Sequence, residues 1–234
     1  MMHFNLMKSP AIVFRAIAAA FALLSLSSCA VTYQFAPIEA WVVDAETGKP
    51  IEGAVVTANW ELVKGSLDGP RYYGQLEVKE TVTDANGRFA FEGFSMEDSS
   101  GAELRESDPQ VIVFKAGYEY QRFTNDYRDG GAGMTRQYRT SAVNGKTVKL
   151  LSMLSPEANK LKRSSAYFGL DTRIEKLVRD CHWKKIPRTI VAMDAEDRAM
   201  RAKGKSTGLI AMHDLESLAS KCGAPREFFA GEKK

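Results

Sequence analysis

Short segments in which apolar and polar residues alternate fill most of the chain between residues 40 and 151, and turn residues separate them. Such alternation places every second side chain on one face and is typical of β-strands. The clearest case is the segment 54–62, whose alternate residues are apolar and are predicted to face a core. The pattern as a whole predicts strands over 41–44, 54–62, 76–83, 88–91, 110–115, 118–124 and 146–151.

Two sequences between these segments are typical of tight turns. Thr47-Gly48 and Asn86-Gly87 each supply a glycine, which adopts a positive φ without strain. We therefore predict a hairpin in which 76–83 pairs with 88–91 across Asn86-Gly87. The polar stretches 64–75, 95–108 and 125–140 are predicted to be loops, and the glycine-rich last stretch is predicted to be mobile.

The last third of the chain changes to the spacing of an α-helix. Apolar residues at i, i+3, i+4 and i+7 follow Asp171 and again follow Asp214, which predicts two amphipathic helices. A further helix is predicted between them over 187–202. Pro225 is predicted to end the final helix, because proline cannot continue one.

The first 28 residues have the pattern of a secretory signal. Lys8 and Arg15 precede an apolar run over 16–26, which is too short to span a bilayer. Leu26-Ser27-Ser28-Cys29 follows and resembles the bacterial lipobox, in which the cysteine is lipidated and becomes the first mature residue. The resemblance implies anchoring through Cys29, and Ala30 after it favours the outer membrane, facing the periplasm. An ordinary signal peptide with a chance cysteine is the alternative.

Export makes Cys181 and Cys222 a candidate disulfide, because exported proteins meet an oxidising compartment. Each cysteine ends an apolar helical stripe, so packing of the two stripes would bring the sulfurs together. A zinc site with His182 and His213 is the alternative, but adjacent residues on a helix point about 100° apart. We prefer the disulfide, and we expect its reduction to loosen the helical region without affecting the strands.

Three segments resemble the carboxypeptidase regulatory-like domain, a small transthyretin-like β-sandwich. They contain, in order, Thr47-Gly48-Lys49-Pro50, Asp84-Ala85-Asn86-Gly87 and Lys115-Ala116-Gly117-Tyr118. The resemblance implies a fold rather than a function, because this sandwich is attached to many unrelated proteins. The predicted fold class is mainly β with an α tail: a transthyretin-like antiparallel β-sandwich followed by a small helical region cross-linked by the disulfide. The predicted organisation is a signal peptide over 1–28, a tether over 29–39, the sandwich over 40–154 and the helical region over 155–234.

Composition and charge narrow the classes of function. A hydrophobic content of 44% and a charged content of 26% are ordinary for a globular protein. Removal of residues 1–28 leaves 32 − 2 = 30 basic groups against 29 acidic ones, and no basic stripe predicts nucleic-acid binding. Motifs for nucleophilic catalysis, zinc-dependent proteolysis and phosphate binding are absent from the sequence. We therefore predict no enzyme activity, no cofactor and no bound metal, and we interpret Asp44, Asp84 and Asn86 as turn residues.

These observations predict a membrane-anchored lipoprotein of the cell envelope that acts as a structural or protein-interaction module. Its predicted partners are the membrane, through the lipid anchor, and an unidentified envelope protein or glycan. The alternative function is a glycan-binding module for peptidoglycan or polysaccharide. Tyr72 and Tyr73 would be its binding residues, because aromatic rings in a polar loop need a reason to be exposed.

Overall fold

The chain forms a series of β-strands first and a series of helices afterwards, in the order that the sequence pattern predicts. The structure, a computed structural model, describes residues 30–125, 138–155, 167, 169–218 and 220–231. Its strands are β1 (Val31–Phe35), β2 (Ile38–Asp44), β3 (Val55–Lys64), β4 (Arg71–Val82), β5 (Arg88–Phe91), β6 (Phe94–Asp98), β7 (Glu103–Leu104), β8 (Gln110–Phe114), β9 (Gln121–Phe123), β10 (Tyr138–Arg139) and β11 (Thr147–Leu150). Its helices are α1 (Leu170–Arg179), α2 (Pro187–Arg201), α3 (Met212–Leu218) and α4 (Pro225–Gly231), with 3₁₀ segments at His182–Lys185 and Ser220–Cys222.

The first layer of the sandwich is built on β1 and β2, which follow one another directly. They pair antiparallel with β6 and β5, and they pair parallel with β10 and β11. The ladder is interrupted between Phe35 and Ile38, where Gly93 lies against the chain. A Cβ at Gly93 would lie only 2.9 Å from the carbonyl oxygen of Phe35, so glycine is required at this position.

The second layer has the strand order β4-β3-β8-β9 and is antiparallel throughout, with the short β7 paired to the end of β3. Alternate residues of β3 face the first layer, where Val56 and Trp60 pack with Phe89 and Phe91 of β5. This apolar set forms the core of the sandwich, as the alternation in the sequence predicts.

The other face of the second layer is covered by the helices. Val55, Ile112 and Phe114 pack there against apolar residues of α1 and α2, such as Ile174 and Ile190. As a result, every residue of β3 except its last is buried. The described residues therefore form three layers: two three-stranded sheets side by side, one five-stranded sheet, and the helices. The predicted fold class, mainly β with a disulfide-linked helical tail, is confirmed.

Four segments predicted as irregular contain strands. β4 begins at Arg71, inside the predicted loop 64–75, and β10 lies inside the predicted loop 125–140. The predicted tether contains β1, because Tyr33 and Phe35 alternate with polar residues and are buried in the sandwich core. The predicted loop 95–108 contains most of β6, whose side chains are half-buried or exposed at the edge of the first layer, and the short β7 at the end of β3, of which only Leu104 is buried. Short, half-exposed strands carry a weak apolar pattern, which is why the sequence did not reveal them.

The predicted hairpin across Asn86-Gly87 is wrong, although its tight turn is present. The amide of Gly87 donates to the carbonyl of Asp84 at 2.9 Å, and Gly87 has a φ of 72°. However, β4 pairs with β3 of the second layer, and β5 pairs with β2 of the first. The turn passes from one layer to the other because Thr83 bonds to Ala54 while the carbonyl of Gly87 accepts from Val42.

The end of the chain contains a helix that the sequence pattern did not predict. Pro225 begins α4 instead of ending the helical region, because its missing N–H is tolerated in the first turn of a helix. The preceding helix ends at Leu218 and is followed by the 3₁₀ segment that carries Cys222. The glycine-rich stretch over 126–137, predicted to be mobile, and Pro156, predicted at a helix start, lie outside the described residues.

Candidate functional site

Tyr72 and Tyr73, the predicted ligand-binding pair, lie in β4 and not in a loop. The β3–β4 ladder shifts register at Tyr73, so the alternation of a regular strand does not set the directions of the two rings, and their neighbours differ. The hydroxyl of Tyr72 donates a hydrogen bond to the carboxylate of Asp180, and the ammonium of Lys176 lies 3.4 Å from its ring centroid. Burial, followed by the bond to Asp180, raises the pKa of Tyr72 above its ordinary value. Tyr73 stays 49% exposed, and its ring has the ammonium of Lys64 as a neighbour.

A buried polar cluster lies beside Tyr72, between β3 and α1. Glu61 of β3 is almost fully buried and accepts hydrogen bonds from Arg105 at 2.7 Å and from Lys176 of α1 at 2.8 Å. Gln110 of β8 accepts a hydrogen bond from Arg173 of α1 at 2.5 Å. Two cations of one helix are thus paired with two polar side chains of one sheet, which fixes the position of α1 on the sandwich.

Asp108 completes this cluster and is fully buried. Its carboxylate accepts hydrogen bonds from the backbone amide of Glu61 and, at 3.3 Å, from the side-chain amide of Gln110. Burial raises the pKa of Asp108 from 3.8 to about 7. The nearby charge of Glu61 acts in the same direction, whereas the hydrogen bond from its amide opposes the shift.

Two further carboxylates attach α2 to the sheets. Glu80 of β4 accepts hydrogen bonds from the amide and the hydroxyl of Thr189, each at 2.7 Å, and from the amide of Arg188 at 3.0 Å. It satisfies the free N–H groups at the start of α2, where the preceding residue provides no side-chain cap. Glu196 accepts hydrogen bonds from the hydroxyl of Tyr167 at 2.6 Å and from the amide of Gly117 at 3.1 Å. These two carboxylates therefore hold α2 onto the sandwich.

The predicted disulfide joins Cys181, which follows α1, to Cys222 in the last 3₁₀ segment. Because both sulfurs are used in this bond, they cannot also bind zinc as thiolates. Burial lowers the pKa of His182, and His213 is exposed beside Asp214. Among the described residues, no three histidine, cysteine, aspartate or glutamate side chains are close enough together to hold a metal ion.

An open groove of about 1120 Å³ lies on the outer side of the helices, between α2, α3 and α4. Exposed apolar side chains line it, and Val191 of α2 is 48% exposed. Its charged lining includes four arginines, Arg188, Arg198, Arg201 and Arg226, and three carboxylates that pair with the last three of them, Asp194, Asp197 and Glu216. We call this surface the arginine groove.

The arginines of this groove keep much of their hydrogen-bonding capacity. Arg198 pairs with Asp194 at 3.0 Å and Arg201 with Asp197 at 2.5 Å, yet the arginine side chains are 70% and 54% exposed. The guanidinium of Arg188 makes no ion pair with any of the described residues. Since each guanidinium carries five N–H donors, several donors remain open to water.

The sequence of α2 contains a pattern of residues that indicates this groove. Arg188, Val191, Ala195 and Arg198 follow one another at spacings of three or four residues along the predicted helix over 187–202. Such spacing places them along one face of the helix. The opposite stripe of α2 supplies the core, so the mixed arginine and apolar stripe faces outward.

No family model matches the sequence, and no curated protein matches it. Solved structures that are similar include a streptococcal ancillary pilin, at 14% identity over 51% of this chain and 30% of the pilin, and the group B streptococcus pilus 2b backbone protein, at 15% over 53% and 43%. The plantain pollen allergen Pla l 1 is 14% identical over 52% of this chain and 94% of the allergen.

All three structures have a TM-score of 0.26. The chain spans less than half the length of each of the two pilins. Similarity of this size carries no argument about what this chain does. Its functional assignment therefore has to come from its own residues.

Proposed function

We propose that the protein is a lipoprotein of the cell envelope that acts as a structural or protein-interaction module and has no enzymatic activity. A lipid at Cys29, which lies outside the described residues, would anchor it to the outer membrane facing the periplasm. The signal pattern before Cys29 and the disulfide between Cys181 and Cys222 support export. Among the described residues, no helix is long and apolar enough to cross a membrane.

The arginine groove is the observation that carries the interaction role. It combines exposed apolar surface at Val191 with guanidinium donors at its rim, a composition suited to protein contacts. The partner chemistry that fits it is a protein segment with an apolar side chain flanked by carboxylates, because arginine binds carboxylates through paired donors. We propose such an acidic segment of an envelope protein as the occupant.

The absence of enzymatic activity is supported by the use of the perturbed groups. Tyr72, Glu80, Asp108 and Tyr167 have shifted pKa values, and a shifted pKa is one mark of a catalytic residue. Here each shift accompanies burial at a contact between helix and sheet or within a core. The groups act as attachments between layers, which is a structural use.

The groove is tested by photo-cross-linking in intact cells. A photoreactive amino acid at Val191 is expected to form an adduct with an envelope protein, and one at Leu154, which is 81% exposed and lies outside the groove, is not. Arg188→Glu should reduce the adduct, because it reverses a charge that forms no ion pair. Lys149→Glu, an exposed charge reversal on β11, is the control and should leave the adduct unchanged.

The anchor is tested separately with Cys29→Ala. Two or more acyl chains hold a protein stably on a membrane, so the variant should lose both the lipid mass and the membrane fraction. Intact-mass measurement and membrane fractionation would show this. A wild-type protein that carries no acyl chain and stays in the soluble fraction would contradict the proposal.

A further inference from the structure

The turn that joins β3 to β4 carries the most exposed apolar side chain described in the structure. Leu67 is fully exposed at this turn, between Ser66 and Asp68. Tyr73 is half exposed on the adjoining strand, with the ammonium of Lys64 at 3.8 Å from its ring centroid. We call residues 64–73 the β3–β4 tip.

The tip lies at the same end of the sandwich as the start of β1. The amide of Leu104, which pairs with Leu62 of β3, donates a hydrogen bond to the hydroxyl of Tyr33 at 3.2 Å. Two residues further along β1, the ring of Phe35 lies 5.3 Å from that of Trp60. β1 and β3 therefore run in opposite directions, with Tyr33 near Leu62 and Phe35 near Trp60. Continuing this relation by two residues places Val31 near the level of Lys64.

This placement fixes where a lipid at Cys29 would hold the bilayer. Cys29 precedes Val31 by two residues, and an extended chain covers about 3.3 to 3.6 Å per residue. The bilayer surface would thus lie within roughly 7 Å of the start of β1. Leu67 follows Lys64 by three residues, so it reaches at most about 10 Å beyond the same level.

We infer that the β3–β4 tip is a membrane-contact site, in which Leu67 enters the lipid surface beside the acyl anchor. The inference rests on the proposed lipidation of Cys29. Burial of Leu67 in the acyl region removes an exposed apolar side chain from water. Tyr73 would lie at the level of the head groups, where tyrosine is enriched in membrane proteins. The cations of Lys64 and Arg71 can reach lipid phosphates while their apolar stems stay at the interface.

This orientation leaves the arginine groove free for a protein partner. Glu196 of α2 binds the amide of Gly117, which follows the end of β8. The end of β8 pairs with Val55 at the start of β3, the end of that strand opposite to the tip. The first turn of α2 is attached near the same end, because Thr189 binds Glu80, which pairs with Thr57 of β3. The groove, which is lined along the whole of α2, therefore lies away from the lipid surface.

The test uses the acylated full-length protein in vesicles of phosphatidylethanolamine and phosphatidylglycerol. Leu67→Cys provides a thiol for an environment-sensitive fluorophore, since Cys29 carries the lipid and the other two cysteines form the disulfide. Leu154→Cys is the matched control, because Leu154 is 81% exposed and follows β11. β11 ends opposite Asp44, at the far end of the sandwich from the tip. Intact-mass measurement of each variant establishes acylation before the fluorescence is read.

The expected result is a blue-shifted emission at position 67 that nitroxide-labelled lipids quench, together with a water-like, unquenched emission at position 154. Acylated protein whose label at 67 stays in water would overturn the membrane contact and leave the anchor intact. Quenching at both positions would also overturn it, because the molecule would then have no preferred orientation. Protein without acyl chains would overturn the anchor and the contact together.

Discussion

At the scale of single residues, Gly87 shows two separate reasons for a glycine. It has a φ of 72°, and a Cβ there would lie 2.3 Å from the carbonyl oxygen of Val42. Gly48 has a similar φ of 69°, but no atom lies within 4 Å of its Cβ position. Gly48→Ala should therefore destabilise the protein by about 1 kcal/mol through backbone strain alone.

Gly87→Ala should be more destabilising by a further 1–3 kcal/mol or so, because the new methyl group forces the turn away from the backbone of β2. Denaturant midpoints with unchanged m-values would measure both variants. Equal losses for the two variants would mean that the turn can move away from Val42, and that only the positive φ matters at Gly87.

The buried carboxyl of Asp108 predicts a dependence of stability on pH. Its pKa is raised from 3.8 to about 7 by burial, so the folded state binds a proton that the unfolded state releases. Stability from this group is fully present below about pH 4 and is lost as the pH rises through about 7. Since one pKa unit corresponds to about 1.4 kcal/mol, the loss amounts to a few kcal/mol.

Asp108→Asn should remove this dependence, because the amide cannot ionise while its oxygen still accepts the hydrogen bond from Glu61. The free energy of unfolding, measured from pH 4 to pH 8, should fall more steeply for the wild type than for the variant. Parallel pH curves for the wild type and the variant would show that Asp108 has the same pKa in the folded and the unfolded state.

At the scale of elements, the sequence identified strands best where one face is apolar and the strand is central. The segment 54–62 was placed correctly, because Val56, Ala58 and Trp60 all enter the core. The same pattern could not reveal that the polar face of β3 is buried as well. Glu61 is covered only because Lys176 and Arg105 come to it from distant parts of the chain.

The start of α2 at Pro187 was predicted correctly, but its cap could not be foreseen, because the cap comes from another element. Glu80 of β4 accepts from the amides of Arg188 and Thr189, which lie more than 100 residues later. Glu80→Ala should lower the free energy of unfolding by about 1–2 kcal/mol, as for loss of a helix cap. Chemical denaturation followed by circular dichroism would measure the change.

Glu97→Ala provides the matched control, because Glu97 is an exposed glutamate on β6 whose side chain makes no hydrogen bond to any described residue. It removes the same charge from a strand without removing a cap. A loss at Glu97 as large as that at Glu80 would assign the effect to net charge and not to the helix terminus.

At the scale of the whole molecule, the helical region is part of the packing of the sandwich. Val55, Val78, Ile112 and Phe114 of the sheet belong to one apolar cluster with the residues of α1 and α2. The resemblance to a β-sandwich led us to expect two independent parts, because each part shows its own periodicity in the sequence. Periodicity reports which face is apolar, but it does not report which element covers that face.

The shared cluster changes the expected effect of removing the disulfide. The bond closes a separation of 41 residues, and its loss should destabilise the protein by roughly 4 kcal/mol in the chain-entropy model. From the sequence we expected the strands to be unaffected, since neither cysteine lies in one. The structure predicts that they respond, because loosening of α1 exposes Ile112 and Phe114 of β8 to water.

Amide hydrogen exchange on the Cys181→Ser, Cys222→Ser double variant would decide between these outcomes. The structure predicts faster exchange in α1 together with β3 and β8, which lie under the helices, and little change in β1 and β2 of the first layer. The His182→Ala, His213→Ala double variant is the control for the zinc alternative. It should leave exchange in these strands unchanged, because neither histidine takes part in the disulfide. Faster exchange confined to the helices would contradict the shared core and restore the picture of two independent parts. The pattern is informative because opening of a cooperative unit exposes its amides together, whatever their order along the chain.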